Sequence, residues 1–585
     1  MKIGIEIHQR LATKKLFCDC PSLYEEGKKP DAILKRNLHV VYSEVGEIDR
    51  AALLEAMNER TFEYQYFRDS SCLVEMDEEP PNSINGDALE VAVEMAIRMK
   101  MKIFDEVHVM RKIVIDGSDT AGFQRTTLVA VGGGIETTKG RVGIETLCLE
   151  EESAGIVGEN AFRLDRLGIP LIEIATAPDI KDPEHAKEVA EKIGMMLRAT
   201  GKVMRGIGTI RQDLNVSIEG GARVEIKGAQ ELNMITAWTR NEEERQKKLT
   251  EIIKKLKEKN AFAKLKFATK DITDIVKLRD GFVKNAVERG ERIFGLRLAS
   301  HKGVLGIELG ENRRYGSELS DYAKKAGVRG IIHSDEELEK YGIKNKEEVA
   351  NALGCGEEDA FVMVAADGAR ARNALSFVFE RAKMDFIPEE TRKALPNGTT
   401  AYMRPTPGKA RMYPETDILP LQIREEEIES VAKRMGMGLE EKKAWLEKIL
   451  NQDLAEKMLR SRYYGMFERV VAKGVDAKTA ASTIEDKWKA LRREGLGINE
   501  KMVEKVLLAY GEKKLAKNGI EDALRMMAEG KSEKEVFLNL KRISGRELKK
   551  IVKEEDGDLK KIMQKYRARV DVDEVIALIK ARVKK

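Results

Sequence analysis

All 13 prolines of this 585-residue chain lie before residue 421, and residues 421–585 contain none. Proline removes a backbone donor and clashes with the preceding helical turn. The proline-free back can therefore be helical throughout, whereas the front is repeatedly interrupted. Helices are expected over Ile423 to Met435, Glu440 to Ile449, Leu454 to Val471 and Ala477 to Arg493. Past a Gly495-Leu496-Gly497 joint they resume from Asn499 to Lys585. Charge divides at the same place. Residues 421–585 carry 39 Lys+Arg against 30 Asp+Glu, and residues 1–420 carry 65 against 70. A basic helical back points weakly to nucleic acid. A Lys/Glu-rich solvated surface explains the same balance.

Residues 1–265 alternate like strands over much of their length. Ile3, Ile5 and Ile7 interleave with Gly4, Glu6 and His8. Thr127 to Val131, a Gly132-Gly133-Gly134 turn and Arg141 to Leu149 read as a hairpin or meander. Thr209 to Ile218 alternates strictly, and Arg223 to Lys227 follows a Gly-Gly turn. Helices are expected at Asp87 to Met99, from Asp182-Pro183 to before Gly201, and over Asn241 to Leu265. From about Asp271 to Gly398 the texture changes to short strands, Gly-rich turns and helices such as Ser317 to Ala326, with Pro405-Thr406-Pro407-Gly408 at the exit. The expected fold class is multidomain: a mixed α/β domain (1–265 plus 405–420), an inserted α+β domain (271–400), and helical domains at 421–497 and 498–585.

Several chemistries are absent. The chain has no GxxxxGK[ST], no GxGxxG opening a helix, no HExxH and no CxxC. Cys18 and Cys20 form a CxC with Cys72 far off, so four-ligand spacing is missing and the pattern favours ordinary cysteines over zinc. Five cysteines do not make a secreted disulfide scaffold. No apolar run is long enough for an ordinary transmembrane helix, and MKIGIEIHQR reads as a strand rather than a signal peptide. A cytoplasmic enzyme or RNA-handling protein is expected.

The polar strand faces carry what chemistry there is. Side chains at i and i+2 share a face, about 6.5–7 Å apart. Glu6 and His8 therefore point together and could share a metal ion; the wet face of an edge strand explains them too. Arg211, Asp213, Asn215 and Ser217 share a face, as do Arg223, Glu225 and Lys227. Such faces suit hydrogen bonding to phosphates and sugars, and a solvated face is the plain alternative. Glu150, Glu151 and Glu152 are consecutive, and would repel unless solvated or shared with a cation. Glu173 stands inside an apolar strand, where burial is costly without a partner. Lys112 in RKIVIDG could supply an ammonium for a phosphate. Together these are the parts for phosphoryl transfer without a P-loop.

GIEIH (4–8), RLDRLGIPLIEIATAPD (163–179), GTIRQDLNVSI (208–218), VEIKG (224–228) and YPETDILPL (413–421) resemble the GatB/GatE kinase subunits of tRNA-dependent amidotransferases. Residues 314–338, RYGSELSDYAKKAGVRGIIHSDEEL, resemble the insertion domain of bacterial aspartyl-tRNA synthetases, which marks the archaeal branch of that family. The resemblance implies an ATP- and Mg²⁺-dependent ligase. It would phosphorylate the γ-carboxylate of glutamate carried on tRNA(Gln), after which ammonia displaces phosphate to give Gln-tRNA(Gln). An asparaginase-like amidase subunit, GatD, would supply the ammonia in a dimer of heterodimers, and the helical tail would bind tRNA. By motif, Glu6, His8, Glu151 and Glu173 are the implied metal ligands. Lys112, Glu151, Arg211, Asp213, Glu225 and Lys227 are the implied active-site residues. Two other readings are a non-catalytic tRNA-binding scaffold, which need not keep all four ligands, and a synthetase-like ligase, against which the missing synthetase ATP motifs count.

Overall fold

The computed structural model describes residues 1–40, 60–406 and 412–583, together with residues 46 and 48. Pro407 and Gly408 of the expected exit motif lie outside them. The chain forms two compact units, Met1–Met435 and Gly436–Lys585.

The first unit is built on a twelve-stranded sheet. Its main strands are β1 (Lys2–Arg10), β2 (Val109–Ile113), β3 (Phe123–Val131), β4 (Gly140–Glu151), β5 (Pro170–Thr176), β6 (Ile210–Ser217), β7 (Val224–Lys227), β8 (Glu390–Ala394), β9 (Thr400–Pro405) and β10 (Met412–Pro414). Their order across the sheet is β9-β8-β7-β6-β1-β5-β4-β3-β2-β10. β1 lies in the interior, antiparallel to β5 and to β6. That excludes the edge-strand reading of Glu6 and His8. Ile3, Ile5 and Ile7 are buried on the opposite face, so the alternation fixes which way the polar residues point. β3 and β4 pair as expected; beyond the Gly132–Gly134 corner a further short strand, Gly134–Thr137, turns back onto β4.

Helix α1 (Gly86–Arg98) is capped by Asn85, and α2 (Pro183–Ala199) by the Asp182 carboxylate, which accepts from His185 N–H with Pro183 in the first turn. Helix α3 (Ile235–Glu258) starts well before the expected Asn241, because Ile235, Trp238 and Thr239 are buried against the sheet side. It ends at Lys259, where Asn260 is left-handed, and a short turn follows at Ala261–Lys264.

Within residues 269–383 a separate four-stranded sheet forms, in the order Thr269–Asp271, Arg292–Leu298, Ala360–Ala366, Ile332–His333. Its apolar core takes in Leu249, Ile252 and Leu256 of α3 and residues of α4 (Tyr315–Ala323). The expected limit of this insert at residue 400 is too late. β8 leaves it and pairs in parallel with β7 in the main sheet, a contact between remote segments that local pattern does not reveal. A buried ion network joins the two sheets. Glu318 accepts from Arg392 Nη2 at 2.7 Å and Arg245 Nη1 at 3.1 Å, Glu242 accepts from Arg245 Nε at 2.8 Å, and Glu390 pairs with Arg392.

The second unit is helical. Its core runs from Leu446 to Leu540 without a break at Gly495-Leu496-Gly497, and a smaller cluster gathers Ile543 to Val575. The expected helix Leu454 to Val471 is two: Gln452–Arg460 and Tyr464–Ala472. Ser461 is extended there, and its hydroxyl accepts from Tyr463 N–H and pairs with Glu485. Residues 421–422 form a short strand rather than helix start. Among the described residues no helix is long and apolar enough to cross a membrane.

Candidate functional site

Period-two geometry gathers the polar residues onto one face of the main sheet. Across β6, β1 and β5, Arg211, His8 and Glu173 are direct neighbours in register, and Asp213, Glu6 and Ala175 form the next row. Cross-strand partners lie about 4.5–5.5 Å apart at Cα, so residues from distant sequence segments become one surface.

Two acidic clusters share this face. In the first, His8 Nε2 lies 2.9 Å from Glu173 Oε2 and 4.0 Å from Glu150 Oε2, and the three residues offer ligand atoms all within 4.8 Å of one another. Lys112 Nζ donates to Glu150 Oε1 at 2.7 Å, and Gln124 Nε2 to Glu150 Oε2 at 3.3 Å. In the second, Glu6, Asp213 and Glu225 lie equally close. Lys227 Nζ bridges Asp213 Oδ2 and Glu225 Oε1, each at 2.7 Å. Asn215 donates to Glu6 Oε1 at 2.9 Å, and Thr391 Oγ1 to Glu225 Oε2 at 2.8 Å.

Electrostatics follow from crowding acids on a half-buried sheet face. Burial, with the charges of Glu173 and Glu225, pushes Glu6 up to about 7. Burial opposes a charged His8, yet its hydrogen bond to Glu173 and the charges of Glu173, Glu150 and Asp213 carry it to about 9. Burial would raise Glu173, but His8 and Lys112 hold its carboxyl well below the usual range. Asp213 is likewise buried and held down by Lys227 and His8. Functional sites are built from opposed shifts of this kind, and structural ion networks produce them as well.

Glu151 is displaced from the place expected for it. Adjacent strand residues point to opposite faces, and β4 turns Glu150 toward His8 and Glu173 while Glu151 faces away. The Glu151 carboxylate accepts from the Arg125 backbone N–H at 2.7 Å and lines a small pocket with Glu75, Asp119 and Arg125. Glu150 therefore occupies the position proposed from sequence for Glu151. Three consecutive glutamates leave this choice open until the register with β5 is known. Lys112, Arg211, Asp213, Glu225 and Lys227 all reach the same face as His8.

A third cluster was not legible from spacing. Cys18, Cys20, Cys72 and Glu75 offer ligand atoms within 4.8 Å of one another. Cys18 Sγ lies 2.9 Å from Glu75 Oε1, and Cys72 N–H donates to Glu75 Oε2 at 2.8 Å. The hydrogen bonds of Cys18 and Cys72 pull the Cys20 thiol down. Cys72 is far off only along the chain: the loop after β1 and the turn at residues 70–77 meet in space. Three sulfurs and a carboxylate make a four-donor set of the kind zinc takes.

Residues 1–429 match the model of the GatB/GatE catalytic domain. The chain belongs to the GatB/GatE family. The E subunit of glutamyl-tRNA(Gln) amidotransferase from Methanocaldococcus jannaschii is 45% identical over 94% of this chain and 91% of its own length. Proteins of the same name from Methanosarcina barkeri and Archaeoglobus fulgidus are each 45% identical over 90% of this chain and 86% of theirs. The similarity therefore runs past the catalytic-domain match into the helical unit. Within this GatB/GatE chain, the matched region contains all three clusters.

Proposed function

We propose that this chain is the activating and amidating subunit of a tRNA-dependent amidotransferase. The observation that carries the reading is the convergence of His8, Glu150, Glu173, Glu6, Asp213 and Glu225, with Lys112, Arg211 and Lys227, on one sheet face. In the proposed reaction an oxygen of the γ-carboxylate of Glu-tRNA(Gln) attacks the γ-phosphorus of ATP, and ADP leaves. Ammonia then attacks the acyl carbon of the resulting acyl phosphate, and phosphate leaves as Gln-tRNA(Gln) forms. Activation is needed because oxide is a poor leaving group and phosphate a good one.

His8, Glu150 and Glu173 would hold one Mg²⁺, and Glu6, Asp213 and Glu225 would hold a second. Bound there, such ions would neutralise phosphate charge and orient the transferred group. Hard oxygen donors suit Mg²⁺; one imidazole among carboxylates is compatible with it. Lys112 and Lys227 already neutralise part of the acid and can turn to phosphate oxygens when a cation takes their place. Cys18, Cys20, Cys72 and Glu75 would hold a structural zinc.

The insert at residues 269–383 is read as the aspartyl-tRNA-synthetase-like domain and the helical unit as the tRNA-binding part. Residues 541–585 alone carry 15 Lys+Arg against 8 Asp+Glu, most of the surplus of the proline-free back. Ammonia would come from an asparaginase-like partner, GatD, in a dimer of heterodimers. The test is Glu173→Ala in the complex. Gln-tRNA(Gln) formation should vanish with tRNA affinity unchanged. An unchanged rate sinks the catalytic assignment and leaves a tRNA-binding scaffold.

A further inference from the structure

Glu152, the third glutamate of the run, organises a different set of partners. Its side chain is fully buried, and its two oxygens accept from three guanidiniums: Arg10 Nε at 2.8 Å, Arg166 Nη2 at 2.9 Å and Arg211 Nη2 at 2.7 Å. Three guanidiniums within hydrogen-bond distance of one carboxylate favour its ionised form. Three cations share one anion, and two formal positive charges are left over.

The set is under-compensated in a second, independent way. Arg166 Nε is buried with no hydrogen-bond partner. Burial, with the like charges of Arg211 and Arg10, pulls Arg166 below the ordinary guanidinium value despite Glu152. The neighbouring Arg163 shows the contrast: it is matched by Asp165 through two bonds, at 2.9 and 2.5 Å. A guanidinium presents five N–H donors in a planar fork. Arg10, Arg166 and Arg211 each give one to Glu152. Among the described residues no second acid pairs with any of the three. The side chains of Arg166 and Arg211 are 23% and 29% exposed, so both can be reached from solvent.

Position completes the case. Arg10 follows His8 by two residues on the same face of β1, and Arg211 is the direct cross-strand neighbour of His8. The surplus positive charge thus borders the cluster of His8, Glu150 and Glu173. Guanidinium forks match phosphate oxygens better than any other side chain.

We propose that Arg10, Arg166 and Arg211 form a phosphate-oxyanion subsite beside the His8 cluster, with Glu152 as the positioning residue that fixes their geometry. The inference deepens the proposed function and rests on it only for the source of the phosphate. That source is the phosphate of the nucleotide or of its product; a phosphodiester near the RNA 3′ end has the same chemistry.

The test uses the full chain with Mn²⁺ and measures binding of ADP, inorganic phosphate and uncharged tRNA by calorimetry. Arg166→Gln should weaken ADP and phosphate at least tenfold, and leave Mn²⁺ and tRNA affinity within twofold. Arg211→Lys keeps the charge but loses the fork, and should weaken both phosphates severalfold. Glu152→Gln should weaken them as Arg166→Gln does, with thermal unfolding recorded to detect a folding failure; the two arginine variants stand whatever that variant does. Loss of tRNA affinity with phosphate and ADP unchanged would keep the subsite and assign it to RNA. All three ligands unchanged in both arginine variants would overturn it and make the arginines a structural clamp around Glu152. A wild-type chain that binds phosphate but not ADP would remove the ATP reading and leave the subsite standing.

Discussion

Two clusters of charge in the first unit have opposite characters. At the junction of the sheets, Glu242, Glu318 and Glu390 meet Arg245, Arg381 and Arg392, three against three, with side chains almost wholly buried. On the sheet face, Glu6, Glu150, Glu173, Asp213 and Glu225 meet the bases His8, Lys112 and Lys227, and several of these side chains stay partly exposed. The first is balanced in formal charge and closed to solvent, although Arg381 Nε and Nη2 are buried without a hydrogen-bond partner. The second has five acids against three bases among its own groups, with the arginines around Glu152 at its border. Chain folding accounts for the first cluster; the second is the site proposed for the metal ions.

The comparison breaks most sharply at neighbouring residues. Glu150→Gln should lower product formation by at least about a hundredfold, the upper range for groups that support a metal, and should weaken Mn²⁺ binding. Glu151→Gln, one residue along on the other face, should leave Mn²⁺ affinity unchanged. Equal loss of Mn²⁺ from both variants would return the ligand role to Glu151.

At the junction, Glu318→Ala leaves only Glu242 and Glu390 against the buried cations Arg245, Arg381 and Arg392, and should cost about 3–5 kcal/mol by urea unfolding. Burial would raise Glu318, but Arg392 and Arg245 hold its carboxyl well below the ordinary 4.5. A depressed acid stabilises above its unfolded value. Its contribution should thus be intact above pH 4.5 and drain away as pH falls further, and the Glu318→Ala variant should lose that part of the acid sensitivity.

Between these extremes, Cys72→Ser should lower zinc content and melting temperature together, read by metal analysis and calorimetry, and leave Mn²⁺ binding intact. The smallest effect belongs to the basic end. Removing residues 541–585 keeps the buried residues of the core that ends at Leu540, though it takes away Ala568, which packs against them, and should weaken tRNA about tenfold at low salt and flatten the salt dependence. A cut at Asn499 would instead remove Val503, Val506 and Leu507 from that core.

What was legible in the sequence follows the range of the interactions. Alternation along β1 and β6 is local, so Glu6, His8, Arg211 and Asp213 could be placed on faces directly. Glu173 stood out because an acid inside an apolar strand needs a partner. Nonlocal facts were hidden. Only strand register separates Glu150 from Glu151, and only loop packing joins Cys72 and Glu75 to Cys18 and Cys20. The parallel pairing of Glu390–Ala394 with β7, and the three arginines around Glu152, depend equally on contacts between remote segments. Ser461 broke a helix whose apolar spacing continues through it.

The most direct measurement gives the purified chain Glu-tRNA(Gln), ATP, Mg²⁺ and ammonium chloride without any amidase, and assays Gln-tRNA(Gln). Product that requires both ATP and ammonium is the predicted result, and would place activation and amide formation on this chain. Tight tRNA binding with no product, either alone or with the amidase restored, would contradict it.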